Sequence, residues 1–345
     1  MEHLDVIVVG AGISGISAAV HLSRSCPQKK IAMLERRENI GGTWDLFKYP
    51  GVRSDSDMHT LGFSFKPWNA QKSIADGPSI MQYLNETVDE YGLKEKIRFS
   101  HRVVAANWSS ADAQWLLAVD AGGLQKQMSC NFLFMCSGYY SYDEAYDAQI
   151  PGVDSFNGHL VHPQFWPERL DYRGKRVVVI GSGATAVTIV PSMAEGGAQV
   201  TMLQRSPTYM VSMPDRDAIA NFLRKVLPDS WAYALTRFKN VRLQDFFYKR
   251  ARKAPEKVRA QLLRLVKRML PEGYDVAKHF TPRYNPWDQR LCLVPNSDLF
   301  KAIKNGSVEV VTDEIDTVTS DGLRLKSGTK LPADILVTAT GLKLT

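Results

Sequence analysis

Two glycine clusters in this chain each follow a short apolar run. Gly10-Ala11-Gly12-Ile13-Ser14-Gly15 comes after residues 6–9, and Gly181-Ser182-Gly183-Ala184-Thr185-Ala186 after residues 177–180. A loop without side chains lets the backbone approach a pyrophosphate, and a helix that starts there turns free N–H groups and a positive dipole end toward it. Gly10 is expected to make the tight turn, Gly12 the close approach, and Gly15 the contact between helix and strand; Ala186 takes the third glycine's place in the second cluster. A second apolar run follows each cluster, and the two runs end differently. Residues 31–34 lead to Glu35, whereas residues 200–203 lead to Gln204-Arg205-Ser206. A carboxylate accepts hydrogen bonds from two ribose hydroxyls but repels a 2′-phosphate, which an arginine attracts through a charge-assisted contact. The first site therefore suits FAD or NAD, and the second suits NADPH. Two such sites in one chain point to hydride transfer between a nicotinamide and a flavin.

The elements that position these residues read as an α/β fold. Apolar runs of four or five residues, bounded by glycine loops and followed by helical patterns, are the signature of buried parallel strands in βαβ units. Each half also ends alike, in Phe132-Leu133-Phe134-Met135-Cys136-Ser137-Gly138 and Ile335-Leu336-Val337-Thr338-Ala339-Thr340-Gly341. This internal repetition predicts two tandem Rossmann-like dinucleotide-binding domains with parallel sheets and a helical insertion in the second. The expected division is an FAD-binding domain over 1–140, a linker over 141–175, and an NADP-binding domain over 176–345 whose last strand returns to the first domain. The insertion covers 215–280. Val258, Leu262, Leu265, Val266 and Met269 share one helix face there, and Trp231, Leu235 and Phe238 make a similar stripe.

Length and composition agree with a two-domain globular protein: 345 residues, 44% hydrophobic and 23% charged. Cys26, Cys130, Cys136 and Cys292 show no C-x-x-C spacing and no accompanying histidine pair, which argues against a metal site or a redox dithiol. The N-terminus opens directly into a strand and no apolar run spans a bilayer, so the expectation is a cytoplasmic protein. The net charge of +7 is concentrated: residues 215–278 carry sixteen Lys/Arg against seven Asp/Glu, a net of +9. Solvated helix faces account for such a run, and peripheral contact with an anionic membrane is the second reading. No motif accompanies it that would speak for nucleic acid.

Two longer patterns then resemble those of the type I Baeyer–Villiger flavin monooxygenases, with the nearest likeness to the ethionamide-activating FAD-containing enzymes. Phe156-Asn157-Gly158-His159-Leu160-Val161-His162-Pro163-Gln164-Phe165-Trp166-Pro167 fills every fixed position of F-x-G-x-x-x-H-x-x-x-W-P. Residues 41–55 likewise read G-G-x-W-x-x-x-x-(F/Y)-P-G-x-x-x-D, from Gly41 and Gly42 through Trp44, Tyr49, Pro50 and Gly51 to Asp55. The resemblance covers essentially the whole chain and implies a reaction: NADPH reduces FAD, O2 adds at C4a, and the resulting peroxyflavin oxidises ketones to esters or attacks sulfides and thioamides. It implies that Arg290 is the catalytic arginine and Asp55 the acid that orients it. It also implies that Gly42, Thr43, Trp44, Asp45 and Leu46 line the flavin, that Val103 meets the adenine through its backbone, and that Arg53 and Ser54 reach the nicotinamide half. His162 is implied as a hinge and not a reactant. Gln289 stands where many relatives carry a lysine that helps to hold the 2′-phosphate.

Relatives of this kind continue beyond the position of Thr345, and that further segment supplies much of their substrate pocket. A non-catalytic or uncoupled cofactor-binding fragment is therefore the alternative reading. A flavin N- or S-monooxygenase without ester formation is disfavoured by the 156–167 pattern, and a disulfide reductase by the absence of C-x-x-C. Trp287, Phe63 and Phe65 are candidate pocket aromatics, with core packing the simpler role for each.

Overall fold

The computed structural model describes residues 1–289 and 291–345, which fall into two compact units. The first comprises 1–47, 77–142 and 344–345; the second comprises 48–76 and 143–343.

In the first unit, β1 (Glu2–Val9) runs into α1 (Ile13–Ser25) and then β2 (Ile31–Leu34), the βαβ plan expected from the glycine cluster. After α2 (Thr43–Leu46) the chain enters the second unit for α3 (Met58–Leu61) and returns with α4 (Gly77–Glu90). The strands β3 (Ile97–Arg98), β4 (His101–Ser109), β5 (Gln114–Ala121) and β6 (Leu124–Met135) complete a six-stranded sheet of order β3-β2-β1-β6-β5-β4. Strands β1, β2, β3 and β6 are parallel where they pair, but β4-β5-β6 is an antiparallel meander. The meander packs a layer onto one end of the sheet: Leu117, Val119, Met128 and Cys130 join Leu4, Ile7, Ala32 and Leu34 in one core. Each fully buried Val, Leu or Ile of such a layer contributes roughly 1.5–3 kcal/mol.

The second unit holds an all-parallel sheet of order β12-β9-β8-β16-β7, built from β7 (His159–Val161), β8 (Arg176–Ile180), β9 (Gln199–Gln204), β12 (Val308–Thr312) and β16 (Ile335–Thr338). Helix α5 (Ala184–Glu195) links β8 to β9. Strand β10 (Tyr209–Met213) pairs in parallel with β11 (Leu291–Pro295), and between them lie α6 (Ala218–Val226), α7 (Asp229–Lys253), α8 (Pro255–Met269) and α9 (Val276–Phe280). Helix α10 (Asp298–Lys304) then leads to β12, and β13 (Ile315–Thr319), β14 (Gly322–Leu325) and β15 (Lys330–Pro332) form a small antiparallel sheet before β16. The fold is thus the expected α/β class, with a mixed sheet whose glycine-loop half is parallel in the first unit, and an all-parallel five-stranded sheet and a helical excursion in the second.

Two features differ from the sequence reading, and a third agrees with the solvated helix face expected for the insertion. The stretch 141–175 does more than link, because β7 within it forms the edge strand of the second sheet. Residues 48–76 lie with the second unit although the first glycine loop precedes them. The apolar stripe of α7 is helical but faces solvent: Trp231 and Phe238 are each 66% exposed.

Candidate functional site

Steric crowding shapes the first glycine loop. Gly10 has φ +102°, and a Cβ there would sit 2.6 Å from Cys136 O; a Cβ on Gly15 would lie 1.9 Å from Gly10 O. No side chain fits in either place, so α1 starts hard against the end of β1. Gly12 is different, since the nearest atom to its Cβ would be Gly42 Cα at 3.7 Å. Gly12 also forms the N-cap of α1 without any side-chain cap, which leaves first-turn N–H groups available to an anion. Ser14 is exposed on that first turn.

Glu35 lies at the end of β2, only 5% exposed. Its Oε2 accepts a hydrogen bond from Ala11 N at 2.8 Å and its Oε1 one from Arg37 N at 2.9 Å. The carboxylate is thereby fixed beside the loop, and β4 is attached at the same point by His101 N donating to Glu35 O. Val103 follows two residues later, half-buried at a bulge in β4, with its side chain against the sheet core. Gly41 N donates to Ala11 O at 2.9 Å, which lays the 41–46 segment along the loop. There Thr43 Oγ1 and Tyr140 Oη are 2.7 Å apart, Asp45 is buried and ion-paired with Arg37 at 2.6 Å, and Trp44 and Leu46 are half-buried. Arg37, Tyr140 and Tyr142 escaped the sequence reading. Arg37 also donates to Gly42 O, and the guanidinium groups of Arg36 and Arg37 each lie 5.9 Å from the Tyr142 ring. Their only sequence signals are closeness to Glu35 and to the strand end at Cys136.

The second loop repeats the crowding: Gly181 has φ +140°, and a Cβ there would meet Ala339 O at 2.3 Å. Gly183 caps α5 with no side-chain hydrogen bond, Ala184 and Thr185 are half-buried, and Ala186 is fully buried. Ser182 Oγ bonds Ser206 O at 3.2 Å and lies 3.0 Å from Thr208 Oγ1, which joins the loop to the chain beyond β9. Gln204 is 1% exposed and turned inward; its Nε2 donates to His279 O and Thr312 Oγ1 at 2.7 and 2.9 Å. Arg205 and Ser206 are exposed. The inward amide removes the position that a ribose-binding acid would occupy and leaves Arg205 as the side chain presented after β9.

The 48–55 segment packs on α5. Gly51 has φ +76°, and a Cβ on it would lie 1.9 Å from Ser192 Oγ and 3.2 Å from Thr188 O. Tyr49 is buried beside Thr185; burial pushes its phenol up to about 12, against the hydrogen bond with Thr185. Arg53 pairs with Asp298 at 2.5 Å, and its Nη2 is buried without a hydrogen-bond partner among the described residues. The Ser54 hydroxyl is spent inside its own turn, donating to Ser56 O at 2.7 Å and accepting from Ser56 N at 3.0 Å. Asp55 is exposed, and close enough to Tyr49 for its charge to oppose ionisation of the phenol. Arg290 lies outside the described residues, and its neighbour Gln289 is exposed.

In the 156–167 pattern, a Cβ on Gly158 would meet Asp334 O at 2.4 Å and the Phe156 ring at 2.5 Å. Phe156 packs against the core of the second sheet. His162 Nδ1 accepts from Gln164 N at 3.2 Å, and burial lowers its basicity against the opposing effect of the Gly341 backbone. Phe63 is buried and stacked on Phe65 at 4.9 Å, as core aromatics are, whereas Trp287 is exposed against Tyr248.

A pair of glycine-loop nucleotide folds with different strand-end chemistry defines an oxidoreductase of the two-dinucleotide class. Residues 3–344 match the flavin-binding monooxygenase-like family, and the chain belongs to it. It is 58% identical over 344 residues to the FAD-containing monooxygenase EthA of Mycobacterium tuberculosis, covering 99% of this chain and 70% of that protein. Its identity to the probable FAD-binding monooxygenase AlmA of Acinetobacter baylyi is 53% over 345 residues, covering 99% of this chain and 69% of that one. Among solved structures, oxidised steroid monooxygenase bound to NADP superposes with a TM-score of 0.81 at 26% identity, over 98% of this chain and 71% of that one. Cyclohexanone monooxygenase, with ε-caprolactone bound, shares the fold with a TM-score of 0.82 at 23% identity, over 100% and 74%.

Proposed function

We propose that the protein is an NADPH- and O2-dependent FAD monooxygenase of the Baeyer–Villiger type, converting ketones to esters and oxidising sulfides or thioamides. The observation that carries this reading is the contrast between the two strand ends: a buried carboxylate tied to the first loop at Glu35, and an inward amide followed by exposed Arg205 at the second.

The residues present fit FAD in the first unit. The uncapped start of α1, with Gly10, Gly12, Ser14 and Gly15, receives the pyrophosphate, and Glu35 accepts from the ribose hydroxyls. Val103 would meet the adenine through its backbone, and Gly42, Thr43, Trp44, Asp45 and Leu46 would line the flavin. NADPH fits the second unit, with its pyrophosphate at Gly181, Ser182, Gly183, Ala184, Thr185 and Ala186 and its 2′-phosphate at Arg205 and Ser206. Arg53, whose Nη2 has no hydrogen-bond partner among the described residues, and Ser54, whose hydroxyl bonds Ser56 O, would contact the nicotinamide half. FAD, when bound and reduced, supplies the oxygen activation. Arg290 supplies a permanent planar positive charge where negative charge develops during attack on the carbonyl, and Asp55 orients it.

The test is Arg290→Ala. The variant is expected to retain FAD and to be reduced by NADPH, but to lose ester formation from a cyclic ketone by at least about a hundredfold, the scale of removing one charge-stabilising group. Ester formation at the unaltered rate would overturn the assignment.

A further inference from the structure

The outward face of α7 has no counterpart in the dinucleotide chemistry. Arg237 donates to His59 O and Thr60 O at 3.1 and 3.0 Å, and Asn240 and Gln244 donate to Asp57, so these three residues fix the helix's inner side to α3. The opposite side carries Trp231, Leu235 and Phe238 at spacings of four and three, all open to solvent. Helix α6, which packs beside α7, adds a second such stripe in Ile219, Phe222 and Val226, with Phe222 61% exposed.

Continuing along α7 at the same spacing, the outward positions change from apolar to basic. Arg242 follows Phe238, with its guanidinium 5.9 Å from the phenyl ring, and Lys249 and Lys253 come after it. A hollow of about 950 Å³ lies at this basic end, lined by five Lys/Arg side chains against two acids, Glu256 and the Asp245 that pairs with Lys249 at 2.8 Å. A second apolar helix laid along the stripe would have to bury Arg242 and Lys253 together with the Lys249–Asp245 pair, which removes charges from water without new partners for Arg242 and Lys253. An interface between apolar chains and phosphates has the opposite preference: aromatic and aliphatic side chains enter the acyl boundary while cations remain among the headgroups.

We propose that α6 and the outward face of α7 dock on an anionic phospholipid surface, with Trp231, Leu235 and Phe238 inserted and the basic hollow holding lipid phosphates. Docking through this face is independent of the proposed reaction and would bring apolar substrates dissolved in lipid to the enzyme.

The test is co-sedimentation of the FAD-loaded protein with vesicles of phosphatidylglycerol and phosphatidylcholine, and with vesicles of phosphatidylcholine alone. Binding is expected on the anionic vesicles at low ionic strength, with a loss of at least about tenfold in high salt. The doubly substituted Trp231→Ser/Phe238→Ser protein and, independently, Arg242→Glu/Lys249→Glu should each lose binding by a similar factor while NADPH-driven flavin reduction is unchanged. No sedimentation with anionic vesicles at low ionic strength overturns the proposal, as does equal binding to both vesicle types or binding that neither variant weakens. Concentration-dependent dimerisation abolished by Trp231→Ser/Phe238→Ser, without vesicle binding, would assign the face to a second copy of the chain instead.

Discussion

Glu35 Oε2 and Ala11 N are joined by a 2.8 Å hydrogen bond that fastens the acid at the end of β2 to the middle of the first glycine loop. The corresponding residue in the second half, Gln204, makes no such tie and instead points its amide at His279 O. One side chain thus holds a loop and presents a charge, while the other withdraws and leaves the next residue to define the site. The contrast is the basis for assigning different nucleotides to two loops of nearly the same design.

Glu35→Ala removes both the loop tie and the ribose acceptor. Hydrogen bonds to a charged group are worth about 1.5–3 kcal/mol, which corresponds to roughly 10- to 100-fold in affinity. The variant is expected to lose FAD during gel filtration, measured as flavin absorbance per protein, and Glu35→Gln to retain an intermediate amount. Full retention by Glu35→Ala would remove Glu35 from the FAD site.

Arg205→Ala is expected to raise the KM for NADPH by at least about tenfold, the equivalent of one charge-assisted contact, while leaving the KM for NADH nearly unchanged. An equal rise for both nucleotides would mean that Arg205 supports the fold of the loop and does not read the 2′-phosphate.

Gly51→Ala introduces a Cβ 1.9 Å from Ser192 Oγ at a φ of +76°. The expected destabilisation is about 1–3 kcal/mol, visible as a lower Tm. Adding Ser192→Ala should restore only part of it, because the backbone strain and the contact with Thr188 O at 3.2 Å remain. Wild-type stability of Gly51→Ala would show that the 48–55 segment does not pack closely on α5.

Burial lowers the basicity of His59, His162 and His279 below the ordinary value of 6.5. Each folded imidazole therefore resists protonation more than its unfolded counterpart. The stability tied to these groups is complete above 6.5 and is lost progressively as the pH falls below it. Thermal melts should show a lower Tm near pH ~5.5 than near ~7.5, and His162→Asn should flatten part of that slope. A Tm that rises on acidification over this range would contradict the burial argument.

The glycine loops, their strands and the Glu35–Gln204 contrast were legible in the sequence because each is local: the spacing that makes the turn also makes the motif. The meander β4-β5-β6 was not foreseen, since its pairing depends on partners brought together in space. The placement of 48–76 depends likewise on a glycine at 51 meeting a helix at 188–192, far along the chain. Within 156–167 the pattern was legible but its physical basis was not. Gly158 is excluded from bearing a side chain by Asp334 O, and β7 pairs with β16, both more than 170 residues away in sequence. On α7 the period of Trp231, Leu235 and Phe238 identified a face, but periodicity cannot say what covers a face, and here the described residues leave it in solvent.

The most direct test of the monooxygenase assignment is to supply 18O2 with NADPH and a cyclic ketone to the FAD-loaded protein, and to compare labelled lactone with NADPH consumed. One 18O atom is expected in the ring oxygen of each lactone, with lactone formed in proportion to NADPH oxidised. NADPH consumption that yields only hydrogen peroxide, with no labelled product from any ketone or sulfide, would contradict the assignment and leave a flavin reductase that does not transfer oxygen.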